Sequence, residues 1–199
     1  MRFCDEFEHG FGWISDEFLA RTSHALVADG GVWLVDPVQW DEAERRVAEA
    51  GEPRAVIQLL DRHARDCAAI AARLGVPHHV VPFWGVGSFG TIPVADRRWW
   101  REAALWWPRE RVLVVADVLG TIGYFTAGAE PLGVHPLRRL SPPRELTGLD
   151  PQHILCGHGE GIHGESGAPA LQEALRTARR RLPRAWLGSF SREPNRGRR

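Results

Sequence analysis

Asp61-Arg62-His63-Ala64-Arg65-Asp66-Cys67 gathers more reactive side chains than any other short stretch of the chain. Carboxylate, imidazole and thiolate are the ligand types of zinc. Two more candidates stand far downstream. Asp117 closes the apolar run Val112-Leu113-Val114-Val115-Ala116, and His158 lies between two glycines in Gly157-His158-Gly159-Glu160. Asp66, Cys67, Asp117 and His158, with His63 as an outside candidate, would hold one ion if folding brings them together. Arg62 and Arg65 offer a different chemistry, because a fixed guanidinium contacts small anions in a bidentate way.

The elements around these residues are readable. Ala55-Val56-Ile57 is a buried strand that enters the loop, and the helical spacing of apolar residues over 66–74 predicts a helix that leaves it. Residues 24–28 and 32–36 form a hairpin across Asp29-Gly30-Gly31, and Pro37 ends its second strand. A short charged helix over 41–50 is capped by Asp41 and closed near Gly51. His78-His79-Val80-Val81 starts another strand; its imidazole pair is a weak metal candidate. Residues 82–93 are glycine-rich and read as irregular, 102–107 as a short strand, and 112–117 as the most strand-like run. After a loop-rich stretch, 154–156 is a strand into the His158 turn, and 168–182 is a helix with a basic last turn. The tail over 189–199 is Arg-rich and expected to be disordered, which leaves one domain over 1–188.

Composition excludes several function classes. With 44% hydrophobic and 25% charged residues in 199, the chain suits one folded core. Its formal net charge is zero and all its basic residues are arginine, so no global field points to nucleic acid or a membrane surface. No apolar stretch reaches the roughly 20 residues of a membrane-spanning helix. Cys4, Cys67 and Cys156 are too few and too widely spaced for a disulfide framework, and the acidic N-terminus does not look like a signal peptide, so a cytoplasmic location is expected.

Four landmarks occur in one order: the hairpin ending in Asp36, the 60–74 loop and helix, the strand ending in Asp117, and the strand leading to His158. In this the chain resembles the metallo-β-lactamase superfamily over about residues 24–182. The resemblance implies an α/β fold, an αββα four-layer sandwich of two mixed sheets with helices outside. It also implies hydrolysis of a small ester or thioester by a zinc-bound water, with Asp66 orienting or deprotonating that water. The family's motif is Thr-His-x-His-x-Asp-His. With Asp66 as its aspartate, Arg62 and Ala64 stand at the first two histidine positions, Cys67 stands at the last, and His63 falls on a spacer. The implied site is therefore eroded, with at most a single zinc ion on Asp66, Cys67, Asp117 and His158, or none.

A non-catalytic reading stands beside it, in which the old cleft holds a small anion through Arg62 and Arg65. The direction of Arg62 separates the two, since a metal site does not accommodate a guanidinium pointing inward. Each residue also has a plainer role: Asp66 as a helix cap, Cys67 as a small core residue, His63 as a polar loop residue. Trp99-Trp100 and Trp106-Trp107 are expected to fill the core and to offer a homodimer surface. A redox role for Cys67 and Cys156 requires the two thiols to be neighbours. Glu160 and His163 are further polar groups for the same mouth.

Overall fold

The computed structural model describes residues 1–184, so the expected tail lies outside the described residues. Six strands follow one another across the first sheet: β1 (Arg2–Phe7), β2 (Gly10–Ile14), β3 (Thr22–Ala28), β4 (Gly31–Val35), β5 (Pro53–Gln58) and β6 (His78–Val80). The first four pair antiparallel and the last two join in parallel. Parallel neighbours need a crossover, and α1 (Asp41–Ala50) and α2 (Cys67–Leu74) supply it. The second sheet uses β7 (Gly90–Arg97), β8 (Trp100–Trp107), β9 (Val112–Val115), β12 (His153–Cys156) and β13 (Ile162–His163), in the order β13-β12-β9-β8-β7. Its one parallel pair is β12 with β9. A small ribbon, β10 (Leu119–Gly120) with β11 (Gly133–Val134), and the helix α3 (Gly167–Thr177) complete the set.

Three apolar layers show why these strands read as nearly continuous hydrophobic runs. Between the sheets, Leu26, Val35 and Ile57 meet Leu105, Trp107, Val112, Val114 and Leu155. Outside the first sheet, Val32, Leu34 and Val56 meet Ala43 and Val47 of α1 and Ile70 and Ala71 of α2. Outside the second, Leu113, Val115, Ile154 and Cys156 meet Ala170, Leu171 and Ala174 of α3. Successive residues of one strand thus serve opposite layers, as the two-residue period of a strand dictates. The result is helix, sheet, sheet, helix.

The hairpin, the 41–50 helix, α2 and β9 are where the sequence puts them. The β3–β4 turn is Asp29-Gly30, both with positive φ (53° and 71°), which matches the twist of its strands. Several expectations change. The N-terminal pair β1–β2 has no clear alternation, and Gly10 and Gly12 weaken β2 as a strand. Gly10 is there because a Cβ would meet the carbonyl oxygen of Ala25 at 2.3 Å. Residues 90–93 belong to β7 instead of an irregular segment. Trp40, and not Asp41, is the cap of α1, with Asp41 in the first turn. The helix expected over 168–182 is the shorter α3, 167–177. Among the described residues no helix is long and apolar enough to cross a membrane.

Candidate functional site

Asp117 follows β9 directly, and β8 fixes the turn it sits on. Glu102 Oε1 accepts the backbone N–H of both Asp117 and Val118 at 2.9 Å, and Oε2 accepts the indole N–H of Trp100 at 2.8 Å. Burial, and then the charge of Asp117, push the Glu102 carboxyl up to about 8 against those three donors. Asp117 itself is buried. Burial raises its carboxyl, but the hydrogen bond and charge of His158 outweigh that and hold it below the usual range. His158 Nε2 lies 3.0 Å from Asp117 Oδ1, and its Nδ1 lies 2.7 Å from the carbonyl oxygen of Leu19. Phe125 stacks on the same ring at 5.4 Å.

The other oxygen of Asp117 faces the loop. Arg62 Nη2 and His63 Nε2 each lie 3.6 Å from Oδ2. The Arg62 guanidinium rests on the face of Trp100, 4.3 Å from the ring centre, a cation–π arrangement. His135 packs edge-on against Trp100 at 4.9 Å, accepts the Leu137 N–H at Nδ1, and has Tyr124 Oη 3.5 Å from Nε2. Burial pushes His135 down to about 4, in spite of the nearby Asp117, so it is neutral at pH 7.

Arg65 does something the sequence does not announce. Its guanidinium donates to the backbone carbonyls of Thr22, Asp36 (2.9 Å) and Gly157 (2.8 Å), and so joins the ends of β3 and β4 to the segment after β12. Three of the five N–H donors of Arg65, which was expected to meet an external anion, are taken by these carbonyls. Beneath it, the buried Asp36 accepts the Leu59 N–H at 2.9 Å; burial raises its carboxyl and the charge of Arg65 opposes the rise. The glycines flanking His158 let neighbouring chain segments approach closely. A Cβ on Gly157 would meet the Ala116 carbonyl oxygen at 2.8 Å, and one on Gly159 (φ 91°) would meet Thr121 Oγ1 at 2.1 Å.

Of the expected metal ligands, the structure brings Asp117, His158 and His63 together and turns the other two away. Asp66 occupies the cap position of α2 without capping it, and its Oδ2 accepts the Gln39 N–H at 2.8 Å. Cys67 is fully buried with Ile70, Ala71 and Phe11, and burial, then the charge of Asp36, push its thiol up. It lies outside the first sheet and Cys156 outside the second, which removes the redox pairing. Among the described residues no group of three or more His, Cys, Asp or Glu side chains is arranged to hold an ion. His158 faces an oxygen from each nitrogen, the Leu19 carbonyl at Nδ1 and Asp117 at Nε2. With Arg62 against Asp117, this donor set does not fit a zinc ion. Sequence reasoning missed Glu102, Tyr124 and His135, which carry no motif, and gave Trp100 a core role only; the one signal was a histidine set between Val134 and Pro136 in a loop.

No protein-family model matches the chain, and no curated protein matches it. Solved structures do. The DIM-1 metallo-β-lactamase is similar over 92% of this chain and 96% of its own, at 13% identity and a TM-score of 0.54. The flavodiiron protein from Giardia intestinalis is similar over 89% of this chain and 59% of its own, at 14% identity and a TM-score of 0.60. TTHA1623, solved in a di-iron-bound form, is similar over 82% of this chain and 96% of its own, at 15% identity and a TM-score of 0.58. Identities this low speak for the path of the backbone and not for its chemistry. With two mixed sheets facing each other between helices, this chain has the metallo-β-lactamase fold.

Proposed function

We propose that the cleft over Asp117 binds a small carboxylate with an apolar body, and that the protein is a binding protein on the fold of a hydrolase. The observation that carries this is the inward position of Arg62. Its guanidinium lies beyond hydrogen-bond distance of Asp117 and makes no hydrogen bond among the described residues, so its donors can serve an incoming anion. His158 answers the charge of Asp117 from the far side. His63, 60% exposed, is a second donor at the mouth. The apolar half of the ligand is supported by the rim, where Leu19, Trp99 and Leu137 are all exposed. The Leu19 main-chain carbonyl meets His158, the Leu137 main-chain N–H meets His135, and Trp99 lies edge-on to Trp100 at 5.9 Å. A reducing cytoplasm suits the three buried, unpaired thiols.

Titrating the protein with octanoate, acetate and octanamide, read by tryptophan fluorescence, tests this. Octanoate is expected to bind, Arg62→Gln to weaken it at least about tenfold, and octanamide to fail. Equal binding to wild type and Arg62→Gln would refute the assignment. So would stoichiometric zinc in protein purified without chelator if Asp117→Ala and His158→Ala both lose it, which would restore the metallo-hydrolase reading.

A further inference from the structure

Glu102 is fully buried on β8, yet both charges of the cleft depend on it. Its Oε1 accepts the N–H groups of Asp117 and Val118 and so sets the turn that presents the anion. Its Oε2 accepts the indole N–H of Trp100, the ring on which the Arg62 guanidinium lies. The loop that carries Arg62 departs from the same strand. Leu60 bridges to Glu102, the Ala103 N–H donates to the Leu59 carbonyl at 3.0 Å, and the Asp61 N–H donates to the Arg101 carbonyl at 3.1 Å. One strand thus supports Asp117, Trp100 and the root of Arg62.

The 3.6 Å gap between Arg62 and Asp117 has to be held open. Opposite charges at this range attract, and a guanidinium free to move would close on the carboxylate as a bidentate pair with its donors engaged. The face of Trp100 stands against that closure, with the guanidinium 4.3 Å from the ring centre. His135 packs edge-on against the same ring at 4.9 Å. An indole carries one donor and no acceptor, so the bond to Glu102 is the one hydrogen bond that fixes the tilt of this ring.

Building on the carboxylate-binding reading of the cleft, we infer that Glu102 is the positioning residue of the anion site. Through Trp100 it holds Arg62 off Asp117 and keeps the guanidinium open to an external carboxylate. Glu102→Gln separates the two duties of this side chain. Two backbone donors hold the amide oxygen in the place of Oε1, so the NH2 group falls against the indole N–H. The turn of Asp117 is kept, the seat of Trp100 is lost, and Arg62 closes on Asp117. Trp100→Phe removes the opposing N–H and keeps an aromatic face for the guanidinium. In that background Glu102→Gln has nothing left to disturb.

Octanoate titration of the wild type, both single variants and the double variant tests this at pH 9, above the value of about 8 to which burial pushes Glu102. Glu102→Gln is expected to weaken octanoate about tenfold or more beside Trp100, and less than about twofold beside Phe. The δ protons of Arg62, assigned through Arg62→Gln, read the seat by NMR without any ligand. They are expected upfield, under the aromatic ring, in the wild type, in Trp100→Phe and in the double variant, and at their ordinary position in Glu102→Gln. Equal weakening in both backgrounds, or δ protons that Glu102→Gln leaves in place, would overturn the assignment. A wild type that binds no octanoate would overturn the carboxylate reading alone, and the δ protons then decide for Glu102. Should Glu102→Gln not fold, a double variant that folds and keeps the δ protons upfield supports the assignment. Failure of both to fold, while Trp100→Phe folds, would overturn it.

Discussion

Asp117 and Asp5 are both buried and both gripped by imidazole, but their surroundings divide. Asp117 faces solvent through a guanidinium, Arg62, that keeps its charge at every pH the protein meets. Asp5 faces His24 and His163 behind a closed seam, and its side chain is 2% exposed. Burial alone would raise both carboxyls; hydrogen bonds, chiefly from His158 to one and from His163 and His24 to the other, bring both below the ordinary range. The same anion is thus held in two ways. One arrangement carries a guanidinium that an external ligand can share, and the other is closed by two imidazole rings of the protein itself.

The largest expected effect tests whether the cleft side is held together by guanidinium. Arg65→Met leaves three backbone carbonyls without their partner and the buried Asp36 carboxyl without its neighbouring cation. Urea unfolding at pH 7.5 should show a loss of about 3 kcal/mol, since each stranded buried acceptor costs about 1–3 kcal/mol and the terms do not add fully. A loss under about 1 kcal/mol would mean that water replaces the guanidinium and that the sheets do not depend on it.

Next comes Asp5→Asn, which keeps a residue type tolerant of positive φ while removing the charge. It should lose about 2 kcal/mol near neutrality. The wild-type carboxyl is depressed in the fold, so its contribution is present above about pH 4 and lost as pH falls through the folded value. The variant's stability should therefore decline less steeply below pH 4; an unchanged acid limb would sever the link between Asp5 and the histidines.

How much of this was legible depends on whether the residues repeat. Val112-Leu113-Val114-Val115 and the Asp29-Gly30 turn announce themselves through period and turn chemistry, and so does α2 through its apolar spacing and the left-handed Gly75 that closes it. Asp117 and His158 were found because strand ends deliver residues to a cleft. The directions of Asp66 and Cys67 were not legible, because a helix start presents its first residues to different neighbours and only packing decides which. Glu102, His135 and Asp5 were invisible for a similar reason. Asp117 lies 15 residues from Glu102, Tyr124 11 residues from His135 and Gly161 156 residues from Asp5, and no local spacing encodes such contacts.

Smaller effects sharpen the contrast at the mouth. Arg62→Gln should change stability by less than about 0.5–1 kcal/mol, because a half-exposed ion pair at 3.6 Å is weak; its effect belongs to ligand binding. Trp99→Ala, at a side chain 59% exposed, should leave unfolding within about 0.5 kcal/mol of wild type. It should weaken octanoate and spare acetate in the fluorescence titration. Equal weakening of both ligands would place Trp99 outside the apolar half of the pocket.

Arg65 also constrains the order in which this chain can change. Histidines introduced at positions 62, 64 and 67 would enter a loop whose path is set by one side chain reaching three strand ends. Removing that side chain first exposes the carbonyls; adding imidazoles first sets them against a guanidinium already in place. Substitutions at 62, 64 and 67 are therefore coupled to Arg65, and their effects do not add.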